Sequence, residues 1–208
     1  MSNKITSSGS IRQKNKALIL VAAKEEFVSH GFKGASIKRI AIRANIPRAN
    51  IHYYFDDKTG LYRELLNKII DTWNTNFDTL KVEDDPKDAL AAYIRSKVIY
   101  SRDEPDASRI FASEIIHGAP VLKDYLSSEF KSWIQQKVAV IEAWIEKGLM
   151  DAVNPYHLLF LIWSSTQHYA DFNVQIVAAF DKPKMSYDDF EEVVSSLTSI
   201  ILKGCGIR

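Results

Sequence analysis

The 208-residue chain is poor in the residues that disulfides, metal clusters and membrane spans require. It has a single cysteine, which excludes an intramolecular disulfide and any multi-cysteine zinc or iron–sulfur site. Its longest uninterrupted apolar runs, Ala17–Ala23 and Leu158–Trp163, fall far short of the ~18 residues of a membrane-spanning helix. The N-terminal residues are polar and basic and contain no apolar stretch of signal-peptide length. We therefore expect a cytoplasmic protein with no membrane partner, no metal and no cofactor.

Acidic residues are scarce in the first third of the chain. Residues 1–63 contain twelve lysines and arginines but only four acidic residues, a net charge of +8, and residues 64–208 have a net charge of −7. The near-neutral total of +1 hides this division. A basic head on an acidic body predicts that the head binds a polyanion such as DNA. We therefore predict a DNA-binding domain at residues 1–63, with residues 1–10 as a flexible arm, and a second domain at residues 64–208.

Glycine and proline are also few, with eight and six residues, and they lie almost wholly between segments of helical period. No alternating strand pattern of useful length is present. The chain is therefore predicted to be all-α, with about nine helices that form an N-terminal three-helix head and a C-terminal helical bundle. One long helix is expected from Leu122 to near Gly148. The first helix is expected to end at Gly31, after the apolar positions Leu18, Val21, Ala22, Phe27 and Val28.

The segments near residues 36–43 and 47–53 have the lengths and spacing of a helix-turn-helix. In this motif the second helix lies in the DNA major groove. Ser36 is expected to cap the first helix and to direct its N-terminus towards a phosphate. The predicted core of the pair consists of Ile40, Ala41, Ile46, Ile51 and Phe55. The polar residues that this core leaves pointing outward, suited to base edges and phosphates, are Arg48, Asn50, His52 and Tyr53.

The runs Phe32–Ala41 and Ala49–Leu61 resemble the DNA-binding head of TetR-family repressors. With the preceding Gly31, the first run has the family's Gly-Phe-x-Gly-x-Ser opening, and the second has an aromatic pair before a phenylalanine, followed by Lys58. The resemblance implies that the outward residues face double-stranded operator DNA and that Lys58 contacts a phosphate. The predicted DNA-binding set is Ser36, Arg48, Ala49, Asn50, His52, Tyr53 and Lys58.

A polar line follows a tryptophan on a helix of the body. Trp163, Gln167 and Asp171 are spaced by four residues and so share one face. An indole ring and an amide suit a flat polar ligand, since the ring packs on its face while the amide bonds to its edge. Trp73, Lys97 and Ser101 lie on or beside apolar stripes and could line the same cavity. The alternative is that these are ordinary core residues whose polar groups are satisfied within the chain.

The body also resembles one branch of the TetR family, which contains a regulator whose effectors are uracil and thymine. The resemblance lies in Tyr93–Lys97, Ser101–Arg109, Gly118–Pro120 and Ile162–Phe172. It implies a repressor that a small planar pyrimidine releases from its operator, with contacts to the ligand from Trp163 and Gln167. A regulator of the same family with a different small-molecule effector is the alternative. The predicted ligand-binding set is Trp73, Lys97, Ser101, Trp163 and Gln167.

One helix-turn-helix reads only a few base pairs, so specific binding usually requires a two-fold partner. We therefore expect a homodimer, with the last two helices of each chain forming a four-helix bundle. The same residues could instead form the core within one chain, and different faces could do both. The predicted interface residues are Leu158, Ile162, Ser165, Phe190, Val194, Leu197 and Ile201.

An enzyme and a non-specific architectural DNA-binding protein are the alternatives to a repressor. An enzyme is disfavoured because the chain has no Gly-x-Ser-x-Gly elbow, phosphate-binding loop or dinucleotide fingerprint. A non-specific architectural DNA-binding protein would show steep salt dependence with little sequence preference. A repressor would instead bind its operator with a large specificity ratio.

Overall fold

In the computed structural model, which describes residues 5–77 and 80–207, all regular secondary structure is helical. The all-α prediction is confirmed. No helix in the described ranges combines the length and the apolar character that crossing a bilayer requires. The helices are α1 (Ile5–Gly34), α2 (Ile37–Ala44), α3 (Arg48–Phe55), α4 (Lys58–Phe77), α5 (Pro86–Asp103), α6 (Pro105–Ile116), α7 (Lys123–Ser127), α8 (Glu129–Glu146), α9 (Pro155–Asp171), α10 (Asn173–Ala179) and α11 (Tyr187–Gly204).

The described residues form two more helices than the nine predicted, because the short helices α7 and α10 are present as well. The single helix expected from Leu122 to near Gly148 is broken at Ser128, whose backbone angles (φ −121°, ψ −85°) are not helical. Helix α10 follows directly on Phe172, where no helix is predicted. In the predicted flexible arm, residues 5–10 belong to α1 and residues 1–4 lie outside the described residues.

The chain forms two units. The first contains the residues up to Asp71 together with Arg109–Leu122, and the second contains Thr72–Ser108 and Lys123–Arg208. In the first unit, the later segment is held by the buried carboxylate of Glu114. This group accepts hydrogen bonds from the backbone N–H groups of Val121 (2.6 Å) and Leu122 (3.2 Å) and from the hydroxyl of Tyr62.

The core of the first unit confirms the predicted helix-turn-helix. The five residues expected to fill it are all buried, namely Ile40, Ala41, Ile46, Ile51 and Phe55. The face that α1 turns towards this core agrees with the prediction at Ala22 and Phe27, which are buried, but not at Leu18 and Val21. Leu18 and Val21 are 44% and 55% exposed, while Ile19, Ala23 and Glu26 are completely buried. The spacing of apolar residues alone predicts the wrong side of α1 at Leu18 and Val21, because the buried face also includes the charged residue Glu26.

The turn between α2 and α3 depends on Asn45. This residue adopts the left-handed conformation (φ 52°, ψ 45°), which asparagine tolerates better than most residues. Its N–H donates to the carbonyls of Ala41 and Ile42 and so ends α2. Pro47 follows and fixes the backbone just before α3 begins at Arg48. Gly31, with φ 64°, likewise breaks α1 at the predicted stop.

Helix α4 begins at a tight corner. The side chain of Asp57 caps it by accepting from the N–H of Gly60 at 2.7 Å. A Cβ atom on residue 60 would lie 2.3 Å from the carbonyl oxygen of Phe55, a backbone atom that cannot rotate away. The corner therefore requires glycine.

Gly60→Ala is expected to lower the free energy of unfolding by about 1–3 kcal/mol, because the chain must shift to relieve this overlap. Urea denaturation measures the effect. Gly204→Ala is the matched control, since a Cβ in that helical position would meet nothing within 4 Å. Because Gly204 is the last residue of α11, the control should change the stability by less than about 0.5 kcal/mol. If Gly60→Ala and Gly204→Ala have equal free energies of unfolding, the steric overlap expected at residue 60 is wrong.

The second unit is built around α5, α8, α9 and α11. Its core contains apolar residues from all four helices, among them the fully buried Leu90, Ile94, Ile141, Trp144 and Leu159. Asn154 caps α9 and Ser186 caps α11 with side-chain hydrogen bonds to the first backbone N–H groups. These caps fix where the two helices expected at the dimer interface begin.

Candidate nucleic-acid interface and effector site

The recognition helix α3 exposes its polar residues and buries its apolar ones. Arg48, Ala49, His52 and Tyr53 are exposed and Asn50 is half-buried. Since Ile51 and Phe55 anchor the opposite side, the exposed side chains form one continuous outer surface. This placement agrees with a role in DNA contact, which stays a prediction for each residue.

Two of these side chains have contacts within the first unit that limit what they can do. The Nδ1 atom of His52 lies 2.9 Å from the carbonyl oxygen of Asp56, a distance at which Nδ1–H can donate to that oxygen. The contact with Asp56 thus engages one of the two ring nitrogens and leaves Nε2 as the one available to DNA. Tyr53 has the guanidinium of Arg12 5.8 Å from its ring centroid, so the first part of α1 supports its ring.

Ser36 occupies the N-cap of α2 as predicted, but its hydroxyl does not form the expected capping bond. Its backbone N–H donates instead to Oε1 of Glu26 at 3.0 Å. The carboxylate of Glu26 thus performs the capping role from α1. This leaves the hydroxyl of Ser36 without a capping partner at the end of a helix, a position that favours phosphate.

Glu26 is the buried group that joins α1 to α2. Its Oε1 accepts from Nε of Arg39 at 2.6 Å, and its Oε2 lies 3.6 Å from Nδ1 of His30. Burial raises the pKa of Glu26, but the bonds from Arg39 and Ser36 outweigh it, so the pKa lies below its ordinary value of 4.5. Sequence reasoning missed this residue. Its spacing of seven from the buried Ile19 was the available signal.

Lys58 is less free than predicted. Its ammonium group donates to the carbonyls of Lys33 and Ala35, both at 3.2 Å, and lies 4.8 Å from the ring centroid of Phe32. Two of its three N–H groups therefore tie the start of α4 to the end of α1 and the residue beyond it. The third is the one that could reach a phosphate.

In the second unit, Trp163 lies within an aromatic cluster. Its Nε1 donates to the hydroxyl of Tyr93 at 2.7 Å, and its ring centroid lies 5.6 Å from that of Phe160 and 6.0 Å from that of Trp133. Because the indole N–H is already bonded, the ring face of Trp163 is the part suited to a ligand. Tyr93, the partner on α5, was not among the predicted site residues.

Lys97 is 5% exposed, and its Nζ lies 4.8 Å from the ring centroid of Trp73. Burial lowers the pKa of Lys97 to about 7, an effect that the nearby charge of Asp171 partly opposes. Asp171 in turn accepts a hydrogen bond from the hydroxyl of Ser108 at 2.7 Å, another contact that the sequence did not indicate. Ser101, one turn after Lys97 on α5, is buried as well.

The structure thus brings Trp73 and Lys97 together and places Asp171 within electrostatic reach of them. Gln167 is half-buried on α9, one turn from Trp163 and one turn from Asp171. An aromatic surface next to a buried amine, with an amide nearby, can hold a flat ring that carries both donors and acceptors.

The predicted dimer residues lie mostly inside the second unit. Five of them belong to its buried core, while Ser165 and Leu197 are half-buried. The alternative of an intrachain core therefore holds for these five, and the exposed apolar side chains of α9 and α11 are Tyr156, Phe160, Leu161, Tyr187 and Ile200. The five core residues are Leu158, Ile162, Phe190, Val194 and Ile201.

Two family models together match most of the chain. Residues 19–65 match the model described as bacterial regulatory proteins of the tetR family. Residues 66–208 match the model described as the C-terminal region of YcdC-like proteins. The match to the second model includes every residue proposed from sequence for ligand binding.

Individual proteins agree with these matches. The HTH-type transcriptional regulator RutR of Escherichia coli O157:H7 is 39% identical over 197 residues, which cover 95% of this chain and 92% of that protein. The HTH-type transcriptional repressor SCO4008 of Streptomyces coelicolor is 30% identical, over 72% of this chain and 75% of its own. The crystal structure of AibR in complex with isovaleryl coenzyme A and operator DNA shares the fold. It has a TM-score of 0.72 at 16% identity and covers 89% of this chain and 97% of its own.

Proposed function

Since the chain belongs to the TetR family of transcriptional regulators, we propose that it is a repressor that a small planar ligand releases from operator DNA. The proposed ligand is a pyrimidine such as uracil or thymine. The main support is the 39% identity to RutR over 95% of the chain, which extends through the variable body as well as the head. A different effector remains the alternative.

The proposal assigns one task to each part of the chain. Residues 1–63 bind double-stranded DNA in the cytoplasm, and residues 64–208 bind the ligand and a second copy of the chain. In a homodimer, the exposed apolar side chains Leu161 on α9 and Ile200 on α11 would supply contact surface that the buried residues cannot. The two recognition helices would then meet half-sites separated by one helical turn or a multiple of it.

The chemistry of the second unit suits a pyrimidine ring. The indoles of Trp73 and Trp163 offer flat apolar surfaces for the ring face. The amide of Gln167 can donate to a ring carbonyl and accept from a ring N–H, and Lys97 can donate to a second carbonyl. A ring that satisfies these groups would compensate for burying them.

Release requires that ligand and operator favour different arrangements of the dimer. By linkage, the ligand then weakens operator binding by the same factor as operator DNA weakens ligand binding, typically five- to ~150-fold. Helix α4 contains both Lys58, near the DNA-binding residues, and Trp73, against Lys97. It is the element through which we propose that the two sites are coupled.

A pair of variants separates the two tasks. Gln167→Ala should abolish the thermal stabilisation that uracil or thymine produces, while operator binding without ligand stays unchanged. Arg48→Ala should do the reverse: it should weaken operator binding by about 1–3 kcal/mol per half-site and keep the thermal shift. Thermal-shift and DNA-binding measurements at one fixed salt concentration report both effects. If saturating pyrimidines leave operator affinity unchanged, the pyrimidine assignment is wrong and a screen of other small rings follows.

A further inference from the structure

A groove of about 500 Å³ opens on the surface of the first unit beside the start of α3. Lys38, Ile42 and Asn45 line it from one face of α2 and the turn, and Pro47 and Arg48 line it from the other side. Arg48 is also the first residue of the recognition helix, whose N-terminal residues approach base edges in helix-turn-helix proteins. The groove is therefore continuous with the surface proposed to read DNA.

The side chains that line the groove from α2 are unusually accessible. Ile42 is 70% exposed, a large apolar residue left open to solvent. Lys38 is exposed, and within the described part of the chain it has no ion-pair partner. The other two cations of α2 are occupied, since Arg39 bonds to Glu26 and Arg43 pairs with Glu25 at 2.8 Å. Two cations of α2 thus form ion pairs that stabilise the first unit. The same helix exposes one further cation, Lys38, and one apolar side chain, Ile42.

We propose that Lys38 and Ile42 read operator bases next to those read by Arg48. Lys38 would donate to the O6 and N7 acceptors of a guanine, and Ile42 would pack on the methyl group of a thymine, the two contacts that these residue types make in the major groove. This inference rests on the proposed binding of operator DNA. It extends base recognition from α3 to α2, where resemblance and helix position had indicated only the phosphate contact of Ser36.

Selection of binding sites from random DNA tests the lysine. The wild-type protein should enrich one sequence, and Lys38→Ala should relax its preference at one base pair, by about five- to 150-fold. That base pair should lie beside the one that Arg48→Ala relaxes. Lys131→Ala, which removes one exposed positive charge from α8, is the control and should leave the preference unchanged.

A uniform loss of affinity for all sequences, with a salt dependence reduced by about one ion, would mean that Lys38 contacts a phosphate and would overturn this part of the proposal. Failure of the wild-type protein to enrich any sequence is a different result. It would instead overturn the proposed function itself.

Replacing single thymines of the selected operator by deoxyuridine, which lacks only the methyl group, tests the isoleucine. One such replacement should weaken wild-type binding several-fold and should leave the affinity of Ile42→Ala unchanged. Ile116→Ala removes an equally exposed apolar side chain from the same unit and should respond to the replacement as the wild type does. The assignment of Ile42 is overturned if every deoxyuridine replacement changes the affinity of Ile42→Ala as much as it changes the affinity of the wild-type protein.

Discussion

Replacing Glu26 by alanine is expected to lower the free energy of unfolding by about 3 kcal/mol and to abolish operator binding. The variant leaves the N–H of Ser36 and the guanidinium of Arg39 without the carboxylate that now accepts from both. Because Arg39 is half-exposed and can turn to solvent, the loss should lie at the lower end of the range for broken buried pairs. Helix α2 would lose its N-terminal cap, and the recognition helix packed on it would lose its position. Urea denaturation and operator binding measure the two effects.

The neighbouring residue provides the control. Glu25 pairs with Arg43 on the same two helices, but both side chains are almost half-exposed, so Glu25→Ala should cost less than ~1 kcal/mol. The pH dependence gives a second check. Since the folded-state pKa of Glu26 is lowered, its stabilisation is complete above about pH 4.5 and is lost as the pH falls through the folded-state pKa. Glu26→Gln should remove this acid sensitivity. If Glu25→Ala and Glu26→Ala are equally stable, the buried carboxylate does not hold α2.

Replacing Lys97 by methionine is expected to have the opposite sign and to raise the free energy of unfolding at pH 7 by about 3 kcal/mol. Methionine fills a similar volume and avoids the cost of burying an amine whose pKa falls from 10.5 to about 7. Above pH 7 the folded wild type has lost the proton that the unfolded chain keeps until about pH 10.5. Wild-type stability should therefore rise between these values, by up to ~1.4 kcal/mol per pH unit, and the variant should lack this rise.

The more stable variant should also fail to show the thermal shift with pyrimidines. A buried lysine that lowers stability yet is needed for ligand binding is the pattern expected of a functional group. Lys131→Met, on the exposed side of α8, is the matched control and should change neither stability nor its pH dependence appreciably. If Lys97→Met is less stable than the wild type at pH 7, the lysine contributes more through its contacts with Trp73 and Asp171 than its burial costs.

The helix-turn-helix could be predicted because its signals are local. Gly31 and Asn45 lie where the backbone takes positive φ values, and the buried positions Ile40 and Ile51 follow from helical spacing. The charge division between residues 1–63 and the rest pointed to the same surface. Sequence and structure therefore agree most closely where a short segment determines its own conformation.

The parts that were misjudged depend on contacts between distant segments. Glu26 was overlooked because its partner Arg39 lies thirteen residues away, so the pattern of apolar residues alone placed Leu18 and Val21 inward. Leu158 and Ile162, predicted for an interface between copies, belong to the buried core of the second unit, in which α9 packs against α5, α8 and α11 of the same chain. Periodicity shows that a face is apolar but not which neighbour covers it.

The hydrogen bonds of Glu114 bear on when the head can complete its packing during synthesis. Tyr62 of the head finishes its packing only against a segment that ends at Leu122, which is itself buried. A ribosome that has released the first 71 residues has therefore not yet supplied every part of the first unit. Residues 109–122 emerge about fifty residues later, so we expect a graft that transfers this head to another body to be more stable when it includes residues 109–122.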